Sequence, residues 1–441
     1  MPLTDAEPAP PVELFPGRSA MRKATWRLIP LIAIGYGIAY MDRVNIGFAA
    51  LHMNADLGFS NIVFGIGAGI FFLSYAACEI PSNLLLYRFG ARRWLARIML
   101  TWGILAMAMM FVRTPVQFYA MRFLLGMAEA GFFPGILYYL TQWFPSNLRA
   151  RTISRFYISL PLSSVFMGAV AGALLNLQGK LGLRGWQWLF FVEGLPAVLL
   201  SAVFLKCLPE TPKDARWLSE PERLWIEAQL AAEGNAIPGS HASGVGEALA
   251  DLRVWLFGLT NLLMLGVNYA YTLYLPSLVK SLTLLSDSLV GFLISGMGLL
   301  GAFGMTLNAV LSDRSGRPYR YMILPSLLEA ACLATVAFTL NPWIAVPVLA
   351  CIFFAHNAIQ GPLLALPSTF LQGKGAAAGL ATINMVGILG GVLGPPFMGW
   401  ARDLTGNYQR GLAVLALTML AAAAAVLTLR TMAQTKTRQS I

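Results

Sequence analysis

Apolar residues in this chain come in long unbroken runs, and the polar residues are gathered into short stretches between them. Twelve runs of about 18 residues or more can be read: 27–50, 61–87, 93–112, 117–141, 152–177, 188–207, 252–280, 288–311, 321–340, 343–366, 377–401 and 410–430. A helix rises about 1.5 Å per residue, so roughly 20 apolar residues cross a hydrocarbon core of about 30 Å. The gaps between runs, 341–342 among them, are too short for soluble domains. The pattern therefore predicts an all-α membrane protein of twelve transmembrane helices. Its expected parts are a tail at 1–23, a bundle at 24–207, a hydrophilic linker at 208–251, a second bundle at 252–430 and a tail at 431–441.

Composition narrows the class. The chain is 57% hydrophobic and only 12% charged, against about 25% charged in soluble domains, which excludes an ordinary soluble enzyme. The net charge of +11 is a matter of topology and does not call for a nucleic-acid partner. If the N-terminus is cytoplasmic, 23 Lys and Arg fall in cytoplasmic segments and six in external loops, with Arg43 and Arg122 left inside spans. By the positive-inside rule both termini are then cytoplasmic. The four cysteines (Cys78, Cys207, Cys332, Cys351) lie in or at the ends of spans, with no CxxC and no metal-ligand spacing. They read as small packing residues. Residues 1–20 are Pro-rich without an apolar core, so no cleavable leader is expected, and the tail is expected to be disordered to about Arg22.

The halves are related by a repeat. Tyr87-Arg88-Phe-Gly90-Ala-Arg92-Arg93 follows the second run, and Leu311-Ser-Asp313-Arg314-Ser-Gly316-Arg317 follows the eighth. Between the bundles the linker carries mixed charge and Ser219-Glu-Pro-Glu222, an N-cap with an acidic first turn. It reads as an amphipathic cytoplasmic segment with a solvated charge run.

Charged residues inside spans carry the chemistry, because each costs at least about 2.5–3.5 kcal/mol at the bilayer centre. Arg122 and Glu129 are seven residues apart, on one face and about 10.5 Å apart along a helix axis. Asp42 and Asn45 share a face, with Arg43 turned about 100° away. Such groups mark either a substrate or proton path or an internal salt bridge that locks helices. Glu79, followed by Pro81 near the inner end of its span, reads as a gate or structural pair within reach of the loop arginines. Glu193 and Glu329 read as structural or gating groups, pairing with loop arginines or capping backbone. His356 is either a packed, hydrogen-bonded histidine or a functional one, with Asn357 and Gln360 beside it. Asn268, Tyr271 and Tyr274 in the seventh span are further pocket candidates. No GxxxxGK[ST] loop or nucleophile–base constellation is present, and the three histidines (52, 241, 356) are scattered. Neither a membrane enzyme nor an ATP-driven pump is supported.

Together these features resemble the major facilitator superfamily over essentially the whole chain, with the loops at 88–92 and 313–317 similar to its two cytoplasmic signature loops. Four patches resemble more narrowly its anion:cation symporter family. They are Tyr40-Met-Asp42-Arg43-Val-Asn45-Ile, Glu79-Ile-Pro81-Ser-Asn83, Arg122 to Gly135, and Trp186 to Pro196. Tyr157-Ile-Ser-Leu-Pro161-Leu-Ser-Ser and Gln360 to Pro367 are similar to permeases of tartrate, phthalate-type and hydroxyphenylacetate-type acids. Tyr87 stands where the signature loop usually has Asp, and Leu364 where many members have Trp.

The resemblance implies two pseudo-symmetric six-helix bundles, the major facilitator fold, with substrate near the midplane between them. It implies a secondary transporter of the bacterial inner membrane performing proton-coupled symport of a small organic anion, a tartrate-like hydroxydicarboxylate or an aromatic carboxylate. A proton-independent facilitator or exchanger of a carboxylate or sugar acid is the alternative. Asp42 and Glu129 are the implied proton sites, and Tyr75 and Asn384 match cavity-lining positions. Arg43 and Arg122, the only basic residues deep in the spans, suit carboxylate capture because a guanidinium stays charged and grips bidentately. Asn45, Asn268, Tyr271, Tyr274, His356, Asn357 and Gln360 complete the expected substrate set. Glu79, Arg88, Arg92, Asp313, Arg314, Arg317, Glu193 and Glu329 are the expected gating or structural set. One expected scheme has Arg122 paired with Glu129 in the empty state. No metal or cofactor is expected beyond the coupling proton. The expected surroundings are a lipid bilayer, with the chain a monomer.

Overall fold

The computed structural model describes residues 16–235, 245–339, 341–369 and 373–439. The first half contains α1 (Pro16–Leu57), α2 (Asn61–Phe89), α3 (Ala91–Ala108), α4 (Pro115–Glu129), α5 (Phe132–Thr141), α6 (Ser146–Tyr157), α7 (Ser159–Leu175) and α8 (Gly185–Cys207). Two linker helices follow, α9 (Glu220–Asn235) and α10 (Val245–Ala250). The second half contains α11 (Leu252–Thr283), α12 (Asp287–Ser315), α13 (Arg320–Phe338), α14 (Pro342–Ala365), α15 (Gly373–Thr405) and α16 (Gln409–Gln439). Twelve segments are long and apolar enough to cross a membrane, as the run pattern predicts, and no strand occurs among the described residues.

Two expected continuous spans are broken. The run at 117–141 divides into α4 and α5, with the break immediately after Glu129. Gly131 there has φ +85°, and a Cβ on it would collide with Ser82, so only glycine fits. The run at 152–177 divides at Ile158 between α6 and α7. A broken span leaves backbone groups unpaired at membrane depth, which is tolerated only where protein or a cavity can satisfy them.

The halves repeat in detail. Gly90 ends α2 with φ +85° and Gly316 ends α12 with φ +63°, so both signature loops turn on a positive-φ glycine at the same point of the repeat. Within the first half α2 packs on α4 and α3 on α8; within the second, α11 packs on α15, α12 on α14 and α13 on α16. The halves meet along α2 with α15 and α7 with α12, and less extensively along α1 with α11.

Close approach of small residues makes those seams. A Cβ on Gly65 would stand 2.5 Å from the Pro395 carbonyl oxygen, and Gly168 lies directly against the Gly291 backbone. Helices that come this close gain dispersion contacts along their whole length, the main source of association in lipid.

The tail differs from expectation. Residues 16–22 are helical, extending α1 outward from the first span. The reason is α9: Trp225 covers Gly17, and Lys23 Nζ meets Glu222 at 2.8 Å. Ala20 and Ala24 are fully buried. At the linker's start Lys213, Asp214, Arg216 and Glu220 are exposed, as expected of a solvated charge run, but Glu210 is engaged. Glu210 accepts from the backbone N–H groups of Ala91 and Arg92, capping α3, and the Tyr139 hydroxyl donates to the Pro209 carbonyl. The expected helix start at Ser219 is present, its backbone N–H donating to Glu222 Oε2 at 2.9 Å.

Polar bonds join the halves at the face opposite the chain termini. α1 begins and α16 ends at one face, the terminal face. At the opposite face the halves are stitched by His52 Nε2 to Asp287 Oδ2 (2.6 Å) and Asn176 Nδ2 to Ser288 Oγ (2.6 Å). Asp403 accepts from the Ile62 backbone N–H (2.8 Å) and the Asn61 side chain (2.7 Å) at the start of α2. Toward the terminal face Asp313, Arg314 and Arg317 are exposed, and among the described residues no ion pair joins the two signature loops.

Candidate functional site

The site is built where α1, α2 and the α4/α5 break converge. Asp42, Arg122 and Glu129 are 2%, 1% and 0% exposed, so their charges must be answered inside the protein or by what binds there. Arg43 Nε donates to Glu129 Oε1 at 2.6 Å, with Nη2 2.5 Å from the same oxygen. Its guanidinium carbon lies 4.8 Å from the centre of the Tyr75 ring. Arg122 instead donates from Nε to the Gly67 carbonyl at 3.3 Å and lies 4.6 Å over the Phe71 ring.

This corrects the expected Arg122–Glu129 pair. Two turns of one helix hold those side chains too far apart for contact, whereas Arg43 approaches Glu129 from a neighbouring helix. Asp42 is held by Asn45, whose Nδ2 donates at 3.3 Å, as their spacing predicts. Buried atoms here without a protein hydrogen-bond partner include Asp42 Oδ2, Asn45 Oδ1, Glu129 Oε2 and Arg122 Nη2. They are capacity for protons, water or ligand.

Arg43 also borders a cavity of about 110 Å³ between the halves. Of the sequence-predicted residues, Asn268, Tyr271, His356, Asn357 and Gln360 share that cavity wall with it. Tyr271 contributes its ring, because its hydroxyl donates to the Leu349 carbonyl at 2.8 Å. The wall also includes Tyr36, Tyr40, Tyr157, Ser164 and Tyr269, which the sequence reading did not select as site residues. Positions 36, 40 and 43 follow the i, i+4, i+7 spacing of one helix face, so Tyr36 and Tyr40 were findable from Arg43. Tyr269 had no such signal, since it approaches from the other half.

Several predicted residues lie elsewhere. Tyr274 is not on the cavity: its hydroxyl donates to the Asn61 and Pro395 carbonyls (2.8 and 3.2 Å), tying α11 into the inter-half seam. Asn384 Nδ2 donates to Glu79 Oε1 at 3.2 Å, so these two form a bridge between halves, where Glu79 was expected to meet loop arginines. Glu329 also has no arginine; both its oxygens face His356 Nδ1, at 3.2 and 3.3 Å. Glu193 is 5% exposed with neither oxygen hydrogen-bonded, beside Asn45 and Asp42. It caps no backbone. Arg88 lies 5.7 Å over the Phe89 ring, and Arg92 contributes its backbone N–H to the Glu210 cap. No cluster of three or more potential metal ligands occurs among the described residues.

Twelve spans in two repeated halves around a charged inter-half cavity form the architecture of a membrane transporter. The chain belongs to the Major Facilitator Superfamily, whose family description matches residues 32–395. An Agrobacterium vitis protein named "Putative tartrate transporter" is 44% identical over 392 residues, covering 89% of this chain and 87% of that one. The Acinetobacter baumannii "Quinolone resistance transporter" is 40% identical over 403 residues, covering 91% and 93%. Among solved structures, a bacterial homologue of the human lysosomal transporter Spinster, inward-facing and unoccupied, aligns with a TM-score of 0.75. It covers 92% of this chain and 97% of that one at 18% identity, a likeness of fold alone. This chain is a multi-pass membrane transporter and not an enzyme.

Proposed function

We propose that the protein is a proton-coupled symporter of a small organic anion, working by alternating access as a monomer in the bacterial inner membrane. The observation that carries this reading is the Arg43–Glu129 pair at the cavity wall (2.6 Å). Arg43 is the cavity's cation, and an internal carboxylate, Glu129, already holds it. A substrate carboxylate must displace Glu129, and a proton on Glu129 makes that displacement favourable by removing its charge. Asp42, facing Arg122 and hydrogen-bonded only to Asn45, is a second proton-accepting position. Tyr75, Asn45 and Arg122 support these groups from behind, and Asn268, Tyr271, Asn357 and Gln360 are the opposite wall.

The terminal face is cytoplasmic on this reading, in line with the 23-to-six distribution of basic residues. The Glu79–Asn384 bridge and the arginine-bearing signature loops then act at the inner gate. The A. vitis relative's name supports an organic acid as cargo. Substitution Glu129→Gln tests the scheme in proteoliposomes. It should abolish pH-gradient-driven accumulation while leaving exchange of anion across the membrane. Full accumulation by this variant would discard proton coupling at Glu129 and favour a facilitator or exchanger.

A further inference from the structure

The second half contains a buried acid that the scheme above does not use. Glu329 on α13 is 1% exposed and sits against His356 on α14, and among the described residues it has no other ion-pair partner. Its titratable neighbours are Tyr271, Cys332 and Cys351, none of them cationic at neutral pH. One turn beyond His356, the Gln360 amide nitrogen lies 3.2 Å from His356 Nε2. His356 and Gln360 both border the cavity that Arg43 borders from the other half.

Charge balance decides which way this chain of bonds runs. An ionised Glu329 beside a neutral ring would be an unanswered charge in the core, at a cost of several kcal/mol or more. Two arrangements avoid it: carboxylate with imidazolium, or carboxylic acid with neutral imidazole. In the first both ring nitrogens carry hydrogen. In the second the acid donates to Nδ1, which leaves the hydrogen on Nε2. Either way Nε2–H donates to Gln360. A half-turn of the Gln360 amide about its last bond, moving no other atom, brings the carbonyl oxygen to accept it. The amide N–H₂ is then the end left for the cavity.

We propose that Glu329, His356 and Gln360 form a second anion-recognition element, in which Glu329 is a positioning residue and Gln360 donates to a second carboxylate of the substrate. Arg43 holds one end of the molecule and α14 the other, so the preferred cargo is a dicarboxylate. This rests on the proposed anion transport and narrows it. In contrast to Arg43, the α14 element confers selectivity more than affinity, since an amide donor is a weaker partner than a free guanidinium.

The test is a thermal-shift titration of the purified full chain in detergent with two matched pairs, succinate against butyrate and phthalate against benzoate. Members of each pair differ by one carboxylate. Wild type should bind the diacid of at least one pair about tenfold or more tighter than its monoacid, the worth of one hydrogen bond to a charged group. Glu329→Leu, which can neither donate to nor accept from Nδ1, should lower that ratio toward one with the monoacid affinity unchanged. Gln360→Glu should invert it, because a carboxylate would face a carboxylate. Retained monoacid binding shows that each variant is folded. A wild-type ratio near one, or a ratio that survives both substitutions, overturns the α14 element and leaves the Arg43 reading intact. Binding of neither member of either pair overturns both.

Discussion

Glu129 is surrounded by two arginines, and it bonds the one that lies farther away in sequence. That choice separates their roles. Arg43 touches both Glu129 and the cavity, whereas Arg122 is committed to a backbone carbonyl and an aromatic face. Lysine keeps the charge but not the forked geometry. Arg43→Lys should therefore raise the substrate KM about tenfold or more, given about 1.5–3 kcal/mol for a hydrogen bond to a charged group. Arg122→Lys should leave KM nearly unchanged and show its effect in the proton dependence of uptake. Initial-rate uptake at several pH values distinguishes them. The charged residues themselves were legible in the sequence because the bilayer makes each one conspicuous. Their pairing was not, because helical spacing relates residues of one helix and is silent about Arg43 reaching Glu129 from α1. The same limit explains Glu329, expected to meet a loop arginine or cap backbone, which instead faces a histidine on the next helix.

At the scale of elements, the length of each apolar run was enough to locate the spans, and the breaks within them were harder to see. Gly131 follows Ala130 in a sequence still apolar on both sides, so hydropathy runs straight through the place where the helix ends. The left-handed glycine is visible only once Ser82 is seen to fill the space a side chain would need. The tail was misread for a related reason: residues 16–22 look too polar to fold alone, and their apolar partner, Trp225, is about 200 residues away. That attachment is pH-sensitive. Burial by itself would raise the Glu222 carboxyl, but Lys23, Ser19 and Ser219 hold it down at about 2. A depressed acid contributes stability above its unfolded value of about 4.3 and loses it as pH falls toward 2. Limited proteolysis of the linker should be slow at neutral pH and accelerate below about pH 4. In Glu222→Gln it should be faster at neutral pH, with that acceleration gone.

For the whole molecule, the repeat was readable from Gly90 and Gly316 because both halves need the same turn at the same place. The polar stitching was not, since its partners, Asp403 with Asn61 and His52 with Asp287, lie hundreds of residues apart and leave no periodic trace. Asp403 accepts from the first N–H groups of α2, where a negative charge is worth about 0.3–1 kcal/mol. Asp403→Asn should thus shift the population toward opening at the stitched face by roughly two- to fivefold. Spin labels placed across that face would report the longer distance; an unchanged distribution would mean that the glycine seam alone holds it.

The ion pair between Arg43 and Glu129 has an electrical consequence. Bonded to each other, the two sum to zero charge. When Glu129 takes a proton and a substrate carboxylate replaces it on Arg43, the sum is again zero. Neither rocking step then carries net charge through the membrane at this point, whereas an uncompensated arginine would couple to about 2.3 kcal/mol per 100 mV. For a single carboxylate moved with one proton, membrane voltage does no work on the cycle. The gradient of protons drives it, and a potential clamped across the vesicle should leave the accumulation of such a monoacid unchanged.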